Sequence, residues 1–124
     1  MYSGSIMKTV STLSGEVHDH SGAPLSDLPS RNVLDTAGDL LRALAAPVRI
    51  AIVLQLRESA RCVHELVDAL AVPQPLVSQH LRILKSAGVV AGERSGREVM
   101  YRLVDHHLAE IVVAAVTHAA EGGE

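Results

Sequence analysis

Apolar residues between positions 34 and 44 return every three or four places: Leu34, Ala37, Leu40, Leu41 and Leu44. That is the spacing of one helix face, and it predicts a first helix from about Asn32 or Asp35. The run breaks at Ala46-Pro47. Proline suits the first turn of a helix, so a second helix is predicted from there through Ile50, Val53, Leu54 and Leu56 to about Glu58. A short third helix is predicted over Cys62–Leu70, with Val63, Leu66, Val67 and Leu70 on one face. Ala71-Val72-Pro73-Gln74 reads as a tight connection, and a fourth helix follows from about Gln74 to Ala87. Val77, Leu81 and Leu84 form its buried stripe, and Gly88 stops it.

The period then changes from helical to alternating. Val99, Tyr101 and Leu103 interleave with Met100 and Arg102, the pattern of a strand with one buried face. Val89 to Leu103 is predicted as a hairpin turning at Ser95-Gly96. Asp105 offers an N-cap for a last helix, which Gly122-Gly123 ends. Residues 1–30 are rich in Ser, Gly, Thr and Pro without periodicity, and are expected to be a flexible N-terminal arm. Residues 31–124 are expected to form one domain. Its class is mainly α with a small β-hairpin wing, a winged helix-turn-helix.

Composition narrows the core. Of 124 residues 48% are hydrophobic, yet there is no Trp, no Phe and only Tyr2 and Tyr101. Leu, Val, Ile and Ala must fill the interior, and a homodimer would help so small a domain bury enough apolar surface. The net charge of −3 argues against a blanket nucleic-acid binder, but not against a local basic face. One cysteine, Cys62, leaves no internal disulfide, which fits a reducing cytoplasm. No apolar run approaches the roughly 20 residues of a membrane span, and Met1 to Val10 does not read as a secretory signal.

With Val77, Leu81 and Leu84 turned inward, the fourth helix presents Ser78, Gln79, Arg82 and Lys85 on its other side. Gln pairs bidentately with adenine and Arg with guanine; Ser and Lys more often hold phosphates. Arg94 and Arg97 flank the wing tip, within reach of backbone or minor groove. Residues 78–102 carry five basic side chains against two acidic ones, Glu93 and Glu98. A solvated helix face is the plain reading of any one of these residues. The ordered sequence of helix, turn, helix and basic hairpin points instead to double-stranded DNA. His80 lies beside the buried stripe and reads as a packing or hydrogen-bonding histidine.

The last helix carries metal-ligand chemistry at both ends: Asp105 and His107 near its start, His118 and Glu121 near its finish. His107 and His118 are eleven residues apart, which on a helix is about 16 Å. One helix cannot fold both halves onto one ion. Two antiparallel copies can, giving two symmetric sites across a homodimer. Asp105 and His107 do not share a helical face, but they converge if Asp105 is the N-cap. Two imidazoles and two carboxylates give each site a protein charge of about −2, and four N/O ligands suit tetrahedral zinc, with cobalt or nickel as the other candidates. The structural roles of the same residues are a cap for Asp105 and a dipole partner for His118. Glu121 is a carboxylate at the negative end of a helix, where a purely structural role calls for a cation. His106 is expected to point away.

These residues together resemble the ArsR/SmtB family of metalloregulators. The matching stretches are Leu44-Ala45-Ala46-Pro47-Val48-Arg49, Val77-Ser78-Gln79-His80-Leu81, Arg94-Ser95-Gly96-Arg97, and Asp105-x-His107 with His118-x-x-Glu121. The resemblance covers about residues 35–121, and the final pattern looks like that of the zinc-sensing members. It implies a homodimeric winged-helix repressor whose metal-free form binds operator DNA and whose metal-bound form releases it. It also implies zinc ligands Asp105 and His107 from one subunit and His118 and Glu121 from the other.

Some members have a second site at the start of the third helix, completed by the N-terminal arm. Cys62, His64 and Glu65 occupy that place here, and His18 and His20 of the arm's His18-Asp19-His20 could complete it. With one cysteine the chain departs from the thiol-rich form, and Cys62 reads first as a small, partly buried residue. The remaining alternatives are a redox-sensing DNA-binding regulator using Cys62, a zinc store, and a metal hydrolase. A hydrolase needs an open coordination position, and no catalytic motif is visible.

Overall fold

A computed structural model of the protein describes residues 22–23 and 25–123. Most of the predicted arm, with His18 and His20, lies outside the described residues. Residues 25–30 are exposed and without regular secondary structure.

Helix α1 spans Arg31–Leu44. It begins one residue before the earliest predicted start because Ser30 is its N-cap: the hydroxyl accepts from the Val33 amide at 3.2 Å, satisfying one of the amides a helix start leaves free. Helix α2, Pro47–Glu58, starts on the proline as expected. Helix α3 is Val63–Leu70, with Cys62 as its N-cap rather than its first turn. Ala71 closes it in the left-handed conformation at φ 55°. Helix α4 covers Gln74–Ser86, and α5 covers His106–Gly122.

Strands β1, Val90–Ser95, and β2, Glu98–Leu103, pair antiparallel from Val90↔Leu103 to Ser95↔Glu98. The turn residues are therefore Gly96 and Arg97, one place beyond the predicted Ser95-Gly96. Gly96 sits at φ 66°, where a side chain would be strained. Glycine is needed for a different reason at Gly92, where a Cβ would lie 2.9 Å from the Val99 side chain and 3.1 Å from the Tyr101 ring. The sequence pattern did not reveal a third pairing. Arg61, just before α3, exchanges both backbone hydrogen bonds with Tyr101, at 3.0 and 2.8 Å. That bridge ties the wing to the helix-turn-helix.

The interior is aliphatic, as composition requires. Ile52, Val53, Leu66, Val77, Leu84 and Val89 are fully shielded from water, with Leu81, Val90, Leu108 and Val112 nearly so. Burying each such side chain contributes roughly 1.5–3 kcal/mol. Helix α2 runs through the centre, against α3, α4, α5 and β2. Helix α1 behaves differently. Only Ala43 and Leu44 are buried, while Val33, Leu34 and Leu41 are 56%, 47% and 53% exposed. A helix with a well-formed apolar stripe therefore leaves most of that stripe uncovered within one chain.

Candidate nucleic-acid interface and metal-ligand helix

Helix α4 packs Val77, Leu81 and Leu84 into the core and presents Gln79, Arg82 and Lys85 to solvent. Its 13 residues make a rod about 20 Å long, and a helix fits the major groove of B-DNA, about 12 Å wide. Ser78 differs from the other three. It is half-buried, at the base of a crevice that Tyr101 of β2 also lines, and Arg82 and Lys85 stand on the same crevice. Arg94 is exposed on β1 and Arg97 is exposed in the turn, so both cations flank the wing tip as expected. Glu93 and Glu98 are exposed there as well.

His80 is half-buried and does make a hydrogen bond, to a partner the sequence did not suggest. Nη1 of Arg49 lies 3.2 Å from its Nδ1. Arg49 stands 31 residues before His80, so no local pattern announces the contact.

At the head of α5 the N-cap expectation holds. Asp105 is the cap, with its Oδ1 accepting from the His107 amide at 3.3 Å. The same oxygen lies 2.8 Å from Nδ1 of His107. Two residues that a regular helix would splay apart are thus brought together because Asp105 is in extended conformation, at φ −149° and ψ 143°. Both side chains are open to solvent, 48% exposed for Asp105 and 70% for His107. Oδ1 and Nδ1 stand side by side, close enough for one cation to take both as donors. His118 and Glu121 are exposed, one turn apart near the end of the helix. The two pairs do not meet within one chain. Among the described residues no group of three or more His, Cys, Asp or Glu side chains gathers closely enough to hold a metal ion.

The residues of the second candidate site have local work of their own. Cys62 is buried, 6% exposed. The Glu65 carboxylate accepts from the Cys62 amide at 2.9 Å and so closes the start of α3. His64 is exposed beside them, in a crevice shared with Ser78, Arg97 and Tyr101.

Residues 46–91 match the family described as "Bacterial regulatory protein, arsR family". The chain is 82% identical over 93 residues to the HTH-type transcriptional repressor SmtB of Mycobacterium tuberculosis, covering 75% of this chain and 69% of that one. Among solved structures it is similar to the transcriptional repressor BigR of Xylella fastidiosa, with 31% identity and a TM-score of 0.62, covering 72% of this chain and 95% of that one. It is also similar to a homodimeric winged helix-turn-helix DNA-binding domain of Mycobacterium bovis, with 26% identity and a TM-score of 0.67, covering 81% of this chain and 94% of that one. These are regulatory proteins, and the metal-hydrolase alternative is set aside. The chain folds as a winged helix-turn-helix and belongs to the ArsR/SmtB family of bacterial regulatory proteins.

Proposed function

We propose that this protein is a zinc-responsive transcriptional repressor, a homodimer that binds operator DNA without metal and releases it when zinc binds. The observation that carries the metal reading is the meeting of Asp105 and His107 at the head of α5, with His118 and Glu121 on the same helix and out of reach. Each chain then holds two half-sites. An antiparallel α5 from a second copy completes both, giving two sites of two imidazoles and two carboxylates. Such a donor set neutralises a divalent cation and suits zinc, or cobalt or nickel of similar ligand taste.

Several observations support the dimer. The uncovered stripe of α1, with Val33, Leu34 and Leu41, needs a partner, and Val116 on α5 is 37% exposed. Large apolar patches on a soluble protein mark interaction surfaces. The M. bovis neighbour is described as homodimeric, and the M. tuberculosis and X. fastidiosa relatives as repressors.

On DNA, Gln79 and Arg82 read base edges while Ser78, Lys85, Arg94 and Arg97 hold backbone. Zinc pins the two α5 helices to one another and so favours a dimer whose reading helices fit successive major grooves poorly. By reciprocity operator DNA weakens zinc binding by the same factor, about 1–3 kcal/mol for couplings of this kind. Burial of Cys62 disfavours the redox alternative, since reactive thiols need access. Among the described residues no helix is long and apolar enough to cross a membrane, and a DNA-binding regulator of this kind works in the cytoplasm. The direct test is operator binding followed by fluorescence anisotropy with and without zinc. Release by zinc is expected, and unchanged affinity would remove the regulatory reading.

A further inference from the structure

We propose that Arg49 is a positioning residue for DNA recognition: its guanidinium joins the end of α1 to the reading helix α4 and sets the rotation of α4 about its own axis. The inference rests on the reading of α4 as the base-contacting helix. It begins with a proline. In an unbroken helix the Ala43 carbonyl would accept from the amide of residue 47, but residue 47 is Pro47 and has no N–H. Ala43 is 8% exposed, so water is a poor substitute. Nε of Arg49 donates to that carbonyl at 2.6 Å. The other end of the same rigid fork reaches across to α4, where Nη1 stands 3.2 Å from Nδ1 of His80. Guanidinium has donors only. Nδ1 of His80 therefore accepts, and the ring proton sits on Nε2.

The position of His80 gives this contact its leverage. It follows Gln79 directly and precedes Arg82 by two residues. The buried anchors of α4 are aliphatic, Val77, Leu81 and Leu84, and apolar contact is non-directional. A roll of about 10° moves a side-chain tip at a radius of about 5–6 Å by roughly 1 Å. That is enough to spoil a bidentate hydrogen bond to a base, whose useful range of lengths is about half an ångström. Long basic side chains on phosphates tolerate the same shift. A loosened α4 should therefore lose base discrimination and keep general affinity. The anchor is also placed to matter in a dimer, because Ala43 belongs to the helix whose exposed stripe is assigned to the partner.

The experiment uses the full-length, metal-free protein and two labelled duplexes. One is the preferred duplex that the unaltered protein selects from a randomised library. The other is a scrambled duplex of equal length and composition. The readout is the ratio of the two affinities, with melting temperature and sedimentation measured alongside. Arg49→Met and His80→Ala are each expected to reduce the ratio about tenfold, the size typical of coupled contacts, by weakening the selected duplex alone. The double variant should be no worse than either single one, because both changes cut the same link. Should Arg49→Met fold poorly, Arg49→Lys replaces it. An ammonium can still serve the Ala43 carbonyl but lacks the fork to hold both acceptors, so stability is expected to return while discrimination does not. An unchanged ratio, equal losses on both duplexes, or additive losses in the double variant would overturn the proposal. A library that yields no preferred duplex for the unaltered protein would instead remove the DNA-reading assignment, and the positioning role with it.

Discussion

Asp105 and His107 share one oxygen: the Oδ1 that caps the amide of His107 at 3.3 Å also faces its Nδ1 at 2.8 Å. Capping and the proposed metal binding would therefore draw on the same carboxylate, and mutation can separate them. Asn caps about as well as Asp but carries no charge. Asp105→Asn is expected to leave the melting temperature nearly unchanged and to weaken zinc binding by more than about tenfold, the loss typical of disturbing a metal site. Asp105→Ala should in addition cost about 1 kcal/mol of stability. Zinc competition against a chromophoric chelator and thermal denaturation give the two readouts, and equal zinc affinity in Asp105→Asn would exclude this carboxylate as a ligand.

His118 stands at the other end of the same helix, exposed, and makes no side-chain hydrogen bond among the described residues. His118→Ala is expected to keep the fold and operator binding but to abolish zinc-induced release. Cys62→Ser should still release. Anisotropy titrations of the three proteins with zinc compare them directly. The reverse pattern would move the sensor from α5 to the start of α3.

On α4 the exposed Gln79 and Arg82 are assigned to bases. Replacing either by alanine should cost about 1–3 kcal/mol on the operator and relax specificity. Arg97, in the wing turn, is assigned to the backbone. Arg97→Ala should weaken every sequence alike and reduce the slope of log affinity against log salt by about one. Binding isotherms at several salt concentrations distinguish the two kinds of contact.

Leu34 and Leu41 are about half exposed on α1, too large an apolar stripe to leave wet. Leu34→Glu/Leu41→Glu should leave the monomer fold intact, because neither residue is part of its core, and should shift sedimentation from dimer to monomer. Zinc binding should weaken in parallel, since each half-site loses its complement. A dimer that survives this double change would place the seam elsewhere.

Much of this was readable from residue order, for identifiable reasons. Pro47 fixed where α2 begins, Val77, Leu81 and Leu84 fixed which side of α4 faces inward, and Asp105 announced the cap that brings His107 to it. Local rules determine all three. What escaped depends on segments distant in the chain. The pairing of Arg61 with Tyr101 carries no local pattern, because one bridge has no alternation to read. The half-burial of Ser78 arises from where the wing lies over α4. Arg49 was visible only as part of a short motif, since its two acceptors, Ala43 and His80, lie six residues before it and 31 after it.

Tyr101 is the one tyrosine among the described residues, and the chain has no Phe or Trp. Its backbone is pinned to Arg61, its ring lies over Gly92, and the crevice it lines holds Ser78 of α4. In a chain without tryptophan, ultraviolet emission from tyrosine is not swamped by a brighter neighbour, and Tyr2 is the sole other source. A Tyr2→Leu protein would thus carry a single native chromophore at the junction of wing and reading helix, giving a label-free optical view of how that junction moves when metal or DNA arrives.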